Sequence, residues 1–140
     1  MAHPTRPPTV LCVDDSEGHL KLLELSLTAH AYEVELAQDG HEALTLLQSL
    51  TPDLMIVDVD MPFMDGFELA TRVRRLRRFD AMPIVVMTAA ERSDLRERAE
   101  AAGIDALLHK PVQGKNLARL VTDLIRAGRE AEVERPRATE

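Results

Sequence analysis

Short apolar runs alternate with amphipathic stretches from one end of the chain to the other. Segments 9–13, 33–37, 54–57, 84–87 and 106–108 read as five strands. Helical spacing follows between them: Leu20, Leu23 and Leu27, then Ala43, Leu44 and Leu47, recur every three or four residues, which puts each set on one helix face. The pattern is clearest in Leu117, Leu120, Val121, Leu124 and Ile125. Strands that are apolar at consecutive positions, each followed by a helix, are the mark of βα units and a parallel sheet covered on both faces. The expected class is α/β.

A fourth helix over 92–102 is poorer in apolar residues, with Leu95, Ala99 and Ala102 as its inward positions among many charges. Short side chains anchor it shallowly and make it a candidate for movement. Gly103 and Gly128 stand where helix C-caps are expected. Residues 129–140 are charged, contain Pro136 and lack an apolar period, so a disordered tail is expected there. The reading is one folded domain over 9–128, preceded by a short extension over 1–8.

Length and composition narrow the picture further. A chain of 140 residues buries about 70% of its unfolded surface and folds without staples. Its single cysteine, Cys12, lies inside an apolar run and reads as a buried hydrophobe, which excludes a disulfide framework and suits a reducing cytoplasm. No stretch resembles a signal peptide or approaches the roughly 18 apolar residues of a membrane span, so a soluble, cytoplasmic protein is expected.

With 24 acidic and 17 basic side chains the net charge is −7, which disfavours direct nucleic-acid binding. The cluster Arg72, Arg74, Arg75, Arg77 and Arg78 reads as a solvated helix face. Base-stacking aromatics are scarce, with no Trp and one Tyr.

Ligands of parallel α/β sheets gather at the carboxyl ends of strands. The polar residues just past the apolar runs are Asp14 and Asp15, Asp58, Thr88, and Lys110. They are expected to converge. Three carboxylates brought together repel one another, and a bound cation relieves that; an all-oxygen donor set suits Mg2+, with Mn2+ as the substitute, rather than zinc. The histidines His3, His19, His30, His41 and His109 are scattered and read as solvated or locally bonded.

Val13-Asp14-Asp15-Ser16, the run Asp58-Val59-Asp60-Met61-Pro62-Phe63-Met64-Asp65-Gly66, Met87-Thr88-Ala89 and Lys110-Pro111 together resemble the receiver domains of two-component response regulators, over nearly the whole of 9–128. The resemblance implies a flavodoxin-like (βα)5 three-layer sandwich with strand order 2-1-3-4-5. It makes Asp58 the phosphoacceptor, fed by a phosphohistidine on a sensor histidine kinase or histidine phosphotransfer protein. Asp14, Asp15, Asp58 and the backbone carbonyl of Asp60 would hold Mg2+. Thr88 would hydrogen-bond the phosphoryl group and Lys110 would pair with it. The family's usual partner face is helix four, strand five and helix five, and a cis peptide before Pro111 is usual. Such a domain is a signalling phosphoacceptor, not a turnover enzyme, with a net effect through its altered surface.

Two departures stand out. Leu107, three residues before Lys110, occupies the place where many receivers carry Tyr or Phe as the switch partner of the threonine. Asp60 and Ala90, two residues beyond Asp58 and Thr88, flank the expected phosphoryl position and bear on its hydrolysis.

Two other readings compete. Asp58-Val59-Asp60 also resembles the nucleophile and acid/base pair of haloacid-dehalogenase-type phosphatases, but there the Asp-x-Asp strand comes first and the further acids later. A pseudo-receiver would keep the fold as a binding module without phosphorylation. A stand-alone signalling protein is the direct expectation, and a piece of a longer regulator or hybrid kinase the alternative. No motif identifies the kinase, the target, the phosphoryl lifetime or the oligomeric state.

Overall fold

A computed structural model describes residues 7–134 of the chain. The element order is β1 (Thr9–Val13), α1 (Glu17–Thr28), β2 (Glu33–Ala37), α2 (Gly40–Leu46), β3 (Leu54–Asp58), α3 (Gly66–Arg74), a 3-10 turn (Arg77–Phe79), β4 (Ile84–Thr88), α4 (Leu95–Ala101), β5 (Ala106–His109) and α5 (Gly114–Glu134). The five strands form one parallel sheet in the order β2-β1-β3-β4-β5.

Side chains alternate across the sheet, so each strand feeds two apolar layers. Leu11, Val13, Met55, Val57, Ile84 and Val86 pack beneath α2, α3 and α4 with Leu47, Phe67, Leu69 and Leu95. Val10, Cys12, Leu54, Ile56, Val85 and Met87 face α1 and α5 with Leu20, Leu23, Leu27, Leu117, Val121 and Ile125. The sheet thus carries one apolar layer on each face, as its uninterrupted apolar strands predict. The three central strands are buried at every position, whereas the edge strands β2 and β5 are partly exposed. Burial pushes the Cys12 thiol up to about 12, which leaves it protonated and inert at neutral pH.

Caps fix the helix starts. Ser16, Asp39 and Asp65 each accept a bond from the amide three residues on, satisfying an otherwise orphaned donor. Gly103 sits at φ 73° just past α4, with Ile104 N–H on the Ala99 carbonyl and Gly103 N–H on that of Glu100, a Schellman closure as the sequence predicts.

Four sequence expectations need correction. Gly128 does not end the last helix: α5 continues to Glu134. It passes so close to the turn before β4 that a Cβ on Gly128 would lie 3.2 Å from the Ala81 carbonyl oxygen. The expected tail over 129–140 is therefore helical in its first half, and 135–140 lie outside the described residues. Residues 92–94 precede α4 instead of belonging to it. Finally, the arginine cluster is not simply a solvated face. Arg74 donates to the carbonyls of Gly103, Phe79 and Met82 at 3.0, 2.7 and 2.7 Å and to Asp105 Oδ2 at 2.8 Å. Arg78 reaches the Leu47 carbonyl and stacks over Phe79. Carbonyls left over at helix ends and turns are good acceptors for a planar guanidinium.

Candidate functional site

The carboxyl ends of β1, β3, β4 and β5 converge because parallel strands in register stop together. Asp14 follows β1, Asp58 ends β3, Thr88 ends β4 and Lys110 follows β5. Main-chain bonds lock the rim: Asp14 N–H to Ala37 O, Val59 N–H to Met87 O, and Lys110 N–H to Thr88 O at 2.8 Å.

Carboxylate oxygens of Asp14, Asp15 and Asp58 come within 4.8 Å of one another. Asp14 and Asp58 are buried, at 2% and 6% exposure, and Asp15 is exposed. Ser16 N–H donates to Asp14 Oδ1 at 2.9 Å and Asp60 N–H to Asp58 Oδ2 at 3.1 Å, which fixes both carboxylates. Lys110 Nζ lies 2.6 Å from Asp58 Oδ1 and 3.4 Å from Asp14 Oδ2. The Lys110-Pro111 peptide is cis.

Burial raises the Asp58 pKa, the hydrogen bond from Lys110 pulls it back, and the negative charges of Asp14 and Asp60 push it up again; the net direction is upward. Burial disfavours the Lys110 ammonium, but Asp58 and then Asp14 outweigh it and raise its pKa. Asp58 is thus held above the ordinary carboxylate range chiefly by burial, with the neighbouring acids adding to it and Lys110 opposing it. A cation site is consistent with those neighbouring acids. All the donors are carboxylate oxygens, which fits a hard divalent ion such as Mg2+.

Thr88 is fully buried; its hydroxyl accepts from Ala90 N–H at 3.0 Å and donates to Asp60 Oδ2 at 3.4 Å. Leu107, in β5, is half-buried against the α3 and α4 layer. Gly66 shows why that position excludes a side chain. Its N–H bonds the Val59 carbonyl at 3.0 Å, and a Cβ would stand 2.5 Å from the Asp58 carbonyl oxygen. Gly66 has no positive φ and opens α3, so close approach to the backbone, not an unusual conformation, is the reason for glycine here.

His19, read from the sequence as solvated or locally bonded, is locally bonded, and at the site itself. Its Nδ1 contacts Asp14 Oδ2, because the first turn of α1 places the residue five positions on beside the acid that ends β1. The cap at Ser16, which accepts from His19 N–H, was the available signal.

The fold is that of a receiver domain, with acids, a hydroxyl and an ammonium gathered at the carboxyl ends of its strands, and sequence comparison agrees. The family model for the response regulator receiver domain matches residues 10–122, so the chain belongs to that family of two-component signalling domains. Its relatives include the transcriptional regulatory protein AfsQ1 of Streptomyces coelicolor, 38% identical over 122 residues, covering 86% of this chain and 52% of that one. An uncharacterised 14.6 kDa protein of Leptolyngbya boryana is 40% identical over 112 residues, covering 80% and 86%. Among solved structures, the chemotaxis protein CheY4 of Vibrio cholerae is 33% identical with a TM-score of 0.81, covering 84% of this chain and 98% of that one. A signal receiver domain of an HD domain-containing protein from Pseudomonas fluorescens reaches a TM-score of 0.88 at 26% identity, covering 96% and 98%. The chain spans about half the length of several curated relatives it matches, 52% for AfsQ1 and 51% for the response regulator MprA.

Proposed function

We propose that Asp58 accepts a phosphoryl group from a phosphohistidine on a sensor histidine kinase or phosphotransfer protein, and that the altered surface is the signal. The observation that carries this is the burial of Asp58 between Lys110 at 2.6 Å and the acids Asp14 and Asp15. An Asp58 oxygen forms the new P–O bond while the P–N bond of the donor breaks, its electron pair staying on the imidazole nitrogen, and the imidazole takes up a proton from solvent. Asp14, Asp15, Asp58 and the Asp60 carbonyl would hold Mg2+, which when bound neutralises charge on the phosphoryl oxygens. Lys110 supplies a point charge to the same oxygens, and the Thr88 hydroxyl turns from Asp60 to donate to one of them.

Leu22 on α1, 65% exposed, lines a groove of about 430 Å³ with His19, Leu23, Ser26, Lys110 and Val112. This is a fitting surface for the helices of the phosphodonor, while α4, β5 and α5 serve the downstream protein partner. Among the described residues no helix is long and apolar enough to cross a membrane, in keeping with a cytoplasmic exchange between proteins.

Turnover separates this reading from a phosphatase. With acetyl phosphate and Mg2+, a receiver takes up one phosphoryl group per chain and borohydride converts residue 58 to homoserine. Sustained hydrolysis of a phosphomonoester, many turnovers per chain, would favour the phosphatase, whose aspartate nucleophile also passes through such an adduct.

A further inference from the structure

The apolar anchorage of α4 is slight: Leu95 and Ala99 are its buried residues, with Ala102 just beyond its end. Its N-cap Asp94 makes no side-chain bond to the first amides. Arg74 of α3 holds the Gly103 carbonyl just past the end of α4, and from α4 itself Arg98 ties the helix to the start of α3. Arg98 Nη2 donates to Asp65 Oδ2 at 2.8 Å, and its guanidinium carbon lies 4.6 Å from the centroid of the buried Phe67 ring.

Asp65 serves two elements at once. One oxygen caps α3 by accepting from Glu68 N–H at 2.8 Å, and the other takes Arg98. The next residue, Gly66, is pressed against the Asp58 carbonyl. Contacts therefore run without a gap from Asp58 through Gly66 and Asp65 to Arg98 and α4.

We propose that the Arg98–Asp65 pair is a latch holding α4 against the Asp58 loop in the resting protein, and that it releases when Asp58 is phosphorylated. The inference rests on the phosphoacceptor reading above. Both partners are partly open, at 36% and 30% side-chain exposure, so the pair is weak enough to reverse. Stacking on Phe67 holds the guanidinium plane in place. A helix with few apolar contacts opens at low cost. Coupling is reciprocal, so a latch that phosphorylation releases also opposes phosphorylation while it is closed.

Amide hydrogen exchange of α4 in the full chain tests this, before and after treatment with acetyl phosphate and Mg2+. The variants are Arg98→Gln, Asp65→Asn and the pair together; Asn keeps the α3 cap, so folding is preserved. In the untreated protein either single variant is expected to speed α4 exchange about three- to tenfold, with the double no faster than Arg98→Gln, which already removes the ion pair and the stacking on Phe67. Phosphorylation brings wild-type α4 to the variants' rate, and the variants take up the phosphoryl group faster. Unchanged exchange in the singles, additive effects, or an adduct that leaves wild-type α4 exchange unaltered would each overturn the latch. Folded wild type that forms no adduct instead overturns the phosphoacceptor reading, and the adduct mass tells the two failures apart.

Discussion

Lys110 Nζ stands 2.6 Å from Asp58 Oδ1 and 3.4 Å from Asp14 Oδ2, so one ammonium bridges the proposed phosphoacceptor and an acid on the metal side. Its raised pKa makes the bridge pH-dependent. Protonated Lys110 stabilises the folded chain below the ordinary lysine range, and that contribution is lost as pH climbs through its raised folded value. Lys110→Met is expected to be less stable than wild type by about 1 kcal/mol at pH near 7, a figure that allows for partial solvent screening. Urea unfolding at rising pH should show the gap closing.

Asp58 has the opposite consequence at neutral pH. Its raised pKa means the fold gains most while this acid is protonated, and loses that gain as pH rises from the ordinary carboxylate range through the raised value. A divalent cation offsets the loss. Mg2+ at about ten times its Kd should stabilise wild type by about 1.4 kcal/mol, seen as a rise of a few degrees in Tm. Asp14→Asn and Asp58→Asn should blunt that rise. An equal rise in all three proteins would place the ion elsewhere.

Gly66→Ala is the sharpest steric probe of the phosphoacceptor loop. Its new methyl would begin 2.5 Å from the Asp58 carbonyl oxygen, and backbone is the neighbour that has to move. A loss of about 2–4 kcal/mol is expected, read from the urea midpoint. Asp65→Asn, which keeps its cap, should cost far less.

Much of this was legible in the chain. The three central strands follow from apolar runs such as Val10 to Val13 and Ile84 to Met87, because strands buried on both faces carry no polar alternation, whereas the edge strand β2 alternates Glu33, Val34, Glu35 and Leu36. Convergence of Asp14, Asp58, Thr88 and Lys110 follows from each standing at the end of such a run. Strand order came with the family resemblance, since periodicity says nothing about which strands are neighbours.

What the chain concealed depends on tertiary neighbours. Arg74 looks like any surface arginine until the fold sets four acceptors around it. Gly128 reads as a stop signal, yet the close passage of α5 by Ala81 uses the missing side chain inside the helix. His19 reached Asp14 through the geometry of one helical turn. Leu107 remains the clearest departure from the family, and its half-buried place in β5 leaves no ring to rotate.

The central claim is that Asp58 takes a phosphoryl group with the help of a divalent cation. Intact-mass spectrometry after acetyl phosphate treatment tests it most directly, with a metal-free control and an Asp58→Ala variant. A single phosphoryl adduct that requires both Mg2+ and Asp58 is the predicted result. Folded wild type without an adduct after a short quench, or an adduct retained in Asp58→Ala, would contradict it.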